Sequence, residues 1–151
     1  MRIKKTSQYI ENGASISNVY GTSQSNGYSQ DYINKINTYS TDEVRCGTWI
    51  DGRPIYRKVF TGLNGLPSSA SQKSWGSTVT GLNNVDNVIN IRGFASNGIW
   101  LNAIRPNGVA NCIGLWYDLD NQSIKVEVGT NRSSLTLTVI MEYTKSSDLS
   151  L

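Results

Sequence analysis

From Thr41 onward the chain is a succession of short runs rich in β-branched and aromatic residues, each cut off by Gly, Asn, Asp or Ser. The turn signals recur about every 8–12 residues, the spacing of an all-β sandwich rather than of helices joined by loops. No stretch of about ten residues carries a helical apolar period with caps. The sharpest unit is Val44–Ile50, then Asp51-Gly52, then Arg53–Phe60. Asp-Gly between two such runs predicts a hairpin with a two-residue primed turn, whose central positions both need φ > 0. Pro54 has no N–H to give to a ladder and suits the first position of the returning strand.

Residues 62–74, with Gly62, Asn64, Gly65, Pro67 and a serine cluster, read as a long loop. Further strands are expected at Trp75–Thr80, Val85–Ala95, Gly98–Ile104, Ala110–Leu119, Ser123–Val128 and Leu135–Thr144. Alternation is clearest in the last two. Ile124, Val126 and Val128 oppose Lys125 and Glu127, and Leu135, Leu137, Val139, Met141 and Tyr143 oppose Thr136, Thr138 and Glu142. Such strands are half-buried and antiparallel. The fold expected is an all-β, antiparallel β-sandwich, jelly-roll-like folds included, with roughly eight short strands.

Several strands are apolar on both faces. Ile113, Leu115 and Tyr117 lie opposite Cys112, Gly114 and Trp116, while Val88 and Phe94 fall opposite Ile89 and Ile91, and Ile140 opposite Val139 and Met141. A second apolar face meets the flank of the other sheet or another subunit. Facial alternation alone places Val88, Phe94, Trp116 and Ile140 at an oligomer interface.

Residues 1–39 are of a different kind. They contain no Leu, Phe, Trp, Pro or Cys, yet hold five of the eight tyrosines among Ser, Asn, Gln and Gly. So little apolar surface cannot offset the entropy of ordering the segment by itself. Its spaced Ile and Tyr residues, Tyr9, Tyr20, Tyr28 and Tyr32 among them, suit docking on a partner or on sister chains. The expected organisation is an extended amino-terminal arm, 1–39, and a β-sandwich head, 40–151.

Composition removes most chemistry. There is no histidine, which excludes Ser-His-Asp and Cys-His hydrolases and His-ligated metal sites. Lys and Arg total 14 against 11 Asp and Glu, a formal charge of +3 in a chain only 17% charged, too thin for a nucleic-acid footprint. Cys46 and Cys112 are too far apart for a C-x-x-C motif, and two thiols alone build no zinc site. The longest apolar runs, such as Ile99-Trp100-Leu101, fall far short of the ~20 residues that span a bilayer. Met1–Lys5 is basic, but Thr6-Ser7-Gln8 follows where a signal peptide would turn apolar. Neither membrane insertion nor classical secretion is expected.

An acid pair for glycoside hydrolysis could be read into Asp118 and Asp120, but Asn121 beside them favours a solvated turn. Asp42-Glu43 reads as exposed acids before a strand. No phosphate-binding glycine loop, dinucleotide fingerprint or calcium loop occurs. A non-enzymatic chain without metal or cofactor is expected. Binding remains open, because tryptophan faces pack on sugar rings while polar neighbours hold the hydroxyls. Of Trp49, Trp75, Trp100 and Trp116, Trp75 and Trp100 adjoin loops and are the better candidates, although core packing is the ordinary role of a tryptophan. Arg105 and Asn107, in Arg105-Pro106-Asn107-Gly108, and Asn131 and Arg132, in Thr130–Ser134, add hydrogen-bonding turns.

Several strings along the chain are similar to a known pattern. Tyr39-Ser40-Thr41-Asp42-Glu43-Val44 leading into Gly47-Thr48-Trp49-Ile50-Asp51-Gly52-Arg53-Pro54-Ile55-Tyr56-Arg57-Lys58 resembles the opening of a domain in phage and prophage virion proteins of Gram-positive hosts, of the tail-fibre or receptor-binding kind. Ser123–Val126, Asn131–Ser134 and Glu142–Asp148 resemble its closing strands, and Thr22-Ser23, Tyr28-Ser29 and Tyr32–Asn34 resemble the segment that precedes it. The resemblance spans nearly the whole chain. It implies a homotrimeric virion appendage, assembled in the host cytoplasm and exposed on the particle, its arm tied to other virion proteins. It supplies no binding residues. The head then either binds a host cell-surface polysaccharide or serves as a capsid or tail decoration with no ligand of its own.

Overall fold

The structure, a computed structural model, describes residues 33–34, 37–102 and 112–148. The chain divides between Thr38 and Tyr39, and the fold below is that of the second unit. Its strands are β1 (Val44–Thr48), β2 (Pro54–Leu63), β3 (Ser71–Trp75), β4 (Val85–Ala95), β5 (Ile113–Asp118), β6 (Ser123–Val128) and β7 (Leu137–Lys145), with a helical turn α1 (Ser77–Thr80) between β3 and β4. They form two antiparallel sheets, a four-stranded one in the order β1-β2-β7-β4 and a three-stranded one in the order β3-β6-β5. The head is an all-β sandwich.

The alternating strands supply its core. From β7 come Leu137, Val139, Met141 and Tyr143, and from the facing sheet Ile113, Leu115, Tyr117, Ile124, Val126 and Val128, all buried. Each such aliphatic side chain contributes about 1.5–3 kcal/mol on leaving water. Gly93 lets Leu101 and the β7 backbone come close to β4. A Cβ there would overlap the Thr138 carbonyl oxygen and come within 3.0 Å of Leu101 Cδ1.

Several expectations are corrected. The β1–β2 connection is a three-residue loop, Ile50-Asp51-Gly52: the Gly52 N–H donates to Trp49 O at 2.9 Å and the Trp49 N–H to Arg53 O at 2.7 Å. Only Gly52, at φ +90°, is left-handed, so the turn is of the type I plus bulge form. Trp75 ends a strand instead of starting one. Ser71–Trp75 pairs with Val128–Ile124 inside the segment read as loop, and a polar Ser-Gln-Lys-Ser edge strand gives no apolar alternation to see. Residues Ser77–Thr80 coil between Gly76 and the left-handed Gly81, whose N–H closes on Ser77 O at 2.7 Å. Of the expected Gly98–Ile104 strand, the described residues make a single bridge, Phe94 to Trp100, before turning at Leu101 and Asn102; Ala103 and Ile104 lie outside them.

The last concerns faces. The β4–β7 register slips between Val88 and Asn90, so Val88 opposite Tyr143 and Ile91 opposite Met141 lie on the same side. Both pack against the core. A bulge adds one residue and reverses the alternation beyond it, which is why strict i,i+2 counting set Val88 with Phe94.

Candidate functional site

After Ala95 the chain turns through Ser96-Asn97-Gly98 with the same hydrogen bonds as the first hairpin: Gly98 N–H to Ala95 O at 2.8 Å and Ala95 N–H to Ile99 O at 2.8 Å. Gly98 takes the left-handed position at φ +82°, and Asn97 Oδ1 accepts the Ile99 N–H at 3.2 Å. The returning residues alternate. Ile99 and Leu101 enter the core, and Trp100 between them stays 62% exposed. Its ring meets that of Phe94, itself 38% exposed, edge-on at a centroid distance of 6.0 Å. Phe94 stands opposite Thr138 on the outer face of the four-stranded sheet. The pair is an aromatic platform fixed by a hairpin whose flanking residues are anchored on both sides, a surface that can stack on an apolar ligand face.

The neighbouring turn is tied to this hairpin. The Ser96 N–H donates to Thr136 O at 2.8 Å and the Thr136 N–H to Ser96 Oγ at 3.3 Å. In the connection leading to it, Asn131 Oδ1 is occupied within its own turn by the N–H and hydroxyl of Ser133, at 3.0 and 2.8 Å. The Arg132 N–H reaches Pro67 O at 2.9 Å. Both residues thus have defined backbone roles. Trp75 does not offer a sugar-stacking face: it is 5% exposed, packed in the core, with its Nε1–H donated to Asn64 O at 3.2 Å. Arg105 and Asn107 lie outside the described residues, as do Tyr9, Tyr20, Tyr28 and Tyr32.

The residues chosen by facial alternation do not form one patch. Phe94 and Ile140 share the outer face of the four-stranded sheet, where Ile140 sits between Val59 and Arg92. Trp116 is on the outer face of the other sheet, opposite Lys125, and Val88 is turned toward the core. Phe94 therefore belongs to the same surface as Trp100. Cys46 and Cys112 are not joined by a disulfide.

Asp118 accepts the Asn121 backbone N–H at 3.0 Å and its side-chain amide at 2.9 Å, and pairs with Lys125 at 2.5 Å. These donors, led by Lys125 and Asn121, hold its carboxyl well below the usual range. It is a turn-stabilising carboxylate, the opposite of a proton donor kept neutral for glycoside hydrolysis.

Two residues that sequence reasoning missed hold the sheet margins. Asn102, left-handed at φ 59°, gives its Nδ2–H to Leu115 O at 2.9 Å and accepts the Leu115 N–H on Oδ1 at 2.7 Å. Gln122 does the same for Val85: Oε1 accepts its N–H at 2.8 Å, and Nε2 donates to its carbonyl at 3.0 Å. Each carboxamide replaces one residue of a missing neighbouring strand. The available signal was an amide residue next to a strand end, which is too common to single out.

No protein-family model, no curated protein and no solved structure matches this chain. What the geometry defines is an all-β sandwich with an exposed aromatic pair on one hairpin.

Proposed function

We propose that the chain is a virion appendage protein whose sandwich head is displayed outward and binds a host cell-surface polysaccharide on the Trp100–Phe94 platform. The observation that carries this reading is the exposure of Trp100 between two buried neighbours. A large aromatic ring held out of the core on a braced hairpin costs apolar exposure, which a sugar ring stacked on it removes. The resemblance of the Gly47–Lys58 and Glu142–Asp148 strings to phage fibre-type proteins supports the virion setting, and the arm would link the head to other virion proteins. Assembly as a homotrimer is part of the same proposal.

On a glycan array the full chain is expected to retain at least one polysaccharide, and Trp100→Ala to weaken that binding about tenfold or more, equivalent to ~1.4 kcal/mol. Binding unchanged by Trp100→Ala removes the platform from the site. A particle reconstruction decides the setting. Copies at the tip of a tail appendage with heads outward support receptor binding. Heads spread over the capsid, with no glycan retained on the array, make the chain a decoration without a ligand.

A further inference from the structure

A second surface, on the opposite margin of the four-stranded sheet from β4, has the character of a binding site. Where β2 runs on past its pairing with β1, a cleft of about 530 Å³ opens between β2, the 62–65 turn, β3 and α1. Buried Phe60, Leu63 and Trp75 line it, together with the polar residues Thr41, Thr61 and Asn64.

Its charge is one-sided. Elsewhere on the sandwich Arg53 pairs with Asp51 and Asp86, Arg57 with Glu142, Lys125 with Asp118, and Lys145 with Glu43, while Arg92 Nη2 donates to the Tyr39 hydroxyl at 2.7 Å. Lys58 and Lys73 form no ion pair among the described residues, and both line this cleft, which no Asp or Glu lines. Lys58 Nζ donates to Thr80 O at 3.0 Å and lies 5.6 Å from the centre of the Phe60 ring. Lys73 Nζ runs over Gly65, 3.6 Å from where a Cβ would stand. Both residues are half-buried, and Lys58 is directed by its bond to a backbone carbonyl instead of by a carboxylate. Two ammonium groups lining one cleft that no acid lines give it a positive potential that attracts an anion.

We infer that this cleft binds an oxyanion, phosphate or carboxylate, carried on a sugar or polyol. The two ammonium groups hold the charge, Thr41, Thr61 and Asn64 face the hydroxyls, and the buried apolar side chains take the carbon skeleton. Lysine suits this task as a compact donor that accepts either anion. The site is separate from the Trp100 platform and does not depend on it.

The test is an amide and indole NMR titration of the full chain with glycerol 3-phosphate, galacturonate and neutral galactose. The Trp75 indole N–H, bonded to Asn64 O beside the cleft, is the reporter. One or both acids are expected to shift it, with affinity falling as salt rises, and galactose is expected to leave it unmoved. A response to glycerol 3-phosphate alone identifies a phosphate-bearing polyol, and to galacturonate alone an acidic sugar. Lys58→Gln combined with Lys73→Gln should weaken binding tenfold or more, and Trp100→Ala should leave it unchanged. Should the double variant misfold, Lys73→Gln alone decides, with a loss of threefold or more expected. No shift with either acid, an equal shift with galactose, or wild-type affinity in the lysine variants overturns the proposal.

Discussion

Tyr117 and Tyr143 carry phenols into the sandwich, and their ionisation governs how the head meets alkali. Tyr143 is fully buried, its hydroxyl donated to Glu43, whose other oxygen holds Lys145. Burial first, then the Glu43 carboxylate, holds its ionisation well above the ordinary tyrosine range. Tyr117 is pushed up to about 12, mainly by burial and then by the Asp118 charge. Unfolded tyrosine ionises near about 10. A folded value above the unfolded one means the native state holds its proton longer, so this stability is complete below about pH 10 and is lost as pH rises through 12. The urea midpoint is therefore expected to fall between about pH 10 and 12, less steeply in Tyr117→Phe. A midpoint that stays flat across that window would show that the phenols are exposed to base in the native fold. Asp118 works with the opposite sign: its depressed carboxyl contributes stability above about pH 4, which is lost on acidification. None of these shifts is readable from residue identity, since Tyr39, 53% exposed, has the same side chain as the buried Tyr143.

At the scale of elements, two carboxamides finish what the strands leave undone. β5 is an edge of its sheet, and Asn102 pairs with both polar groups of Leu115 there; Gln122 does so for Val85 at the start of β4. Asn102→Ala or Gln122→Ala is expected to cost about 1–3 kcal/mol in chemical denaturation, because each leaves a partly buried N–H and C=O without their partners. Faster hydrogen exchange at the Leu115 or Val85 amide should accompany it. A cost below ~0.5 kcal/mol would mean that water substitutes for the amide. Legibility also varied by element. β6 falls at Ser123–Val128 as its alternation demands, since burying one face fixes both period and register. β3 was hidden because its pairing with β6 is made by backbone groups, while its side chains, Trp75 apart, carry no apolar period. The bulge after Val88 was equally silent, for an extra residue leaves no mark in a run that is apolar on both faces.

For the whole molecule, the proposed assembly is tested first on the outer face of the four-stranded sheet. Val59, Ile140 and Phe94 emerge there among Arg57, Glu142 and Arg92, with Tyr39 laid across the two guanidiniums at 4.7 and 5.8 Å. The homotrimer we propose should sediment at three times the 16.6 kDa chain mass. Ile140→Asp should dissociate it if this face is the contact, and Trp116→Asp, on the other sheet, if that one is. A wild-type monomer at micromolar concentration overturns the trimer. Trimer loss in Phe94→Asp would give the aromatic pair to the subunit contact instead of to a sugar. The chain's own pattern of short alternating runs and glycine-marked turns was enough to determine an antiparallel sandwich and the inward face of its most regular strands, β6 and β7, because burial of one strand face is a local, period-two property. Which tryptophan is buried and which is bare, which amide completes an edge, and which lysines lack a carboxylate were decided only in the tertiary structure. Each of those depends on what lies across the sheet or across the cleft: Gln122 meets Val85, and Lys58 and Lys73 come to line one cleft, only when the two sheets close on each other.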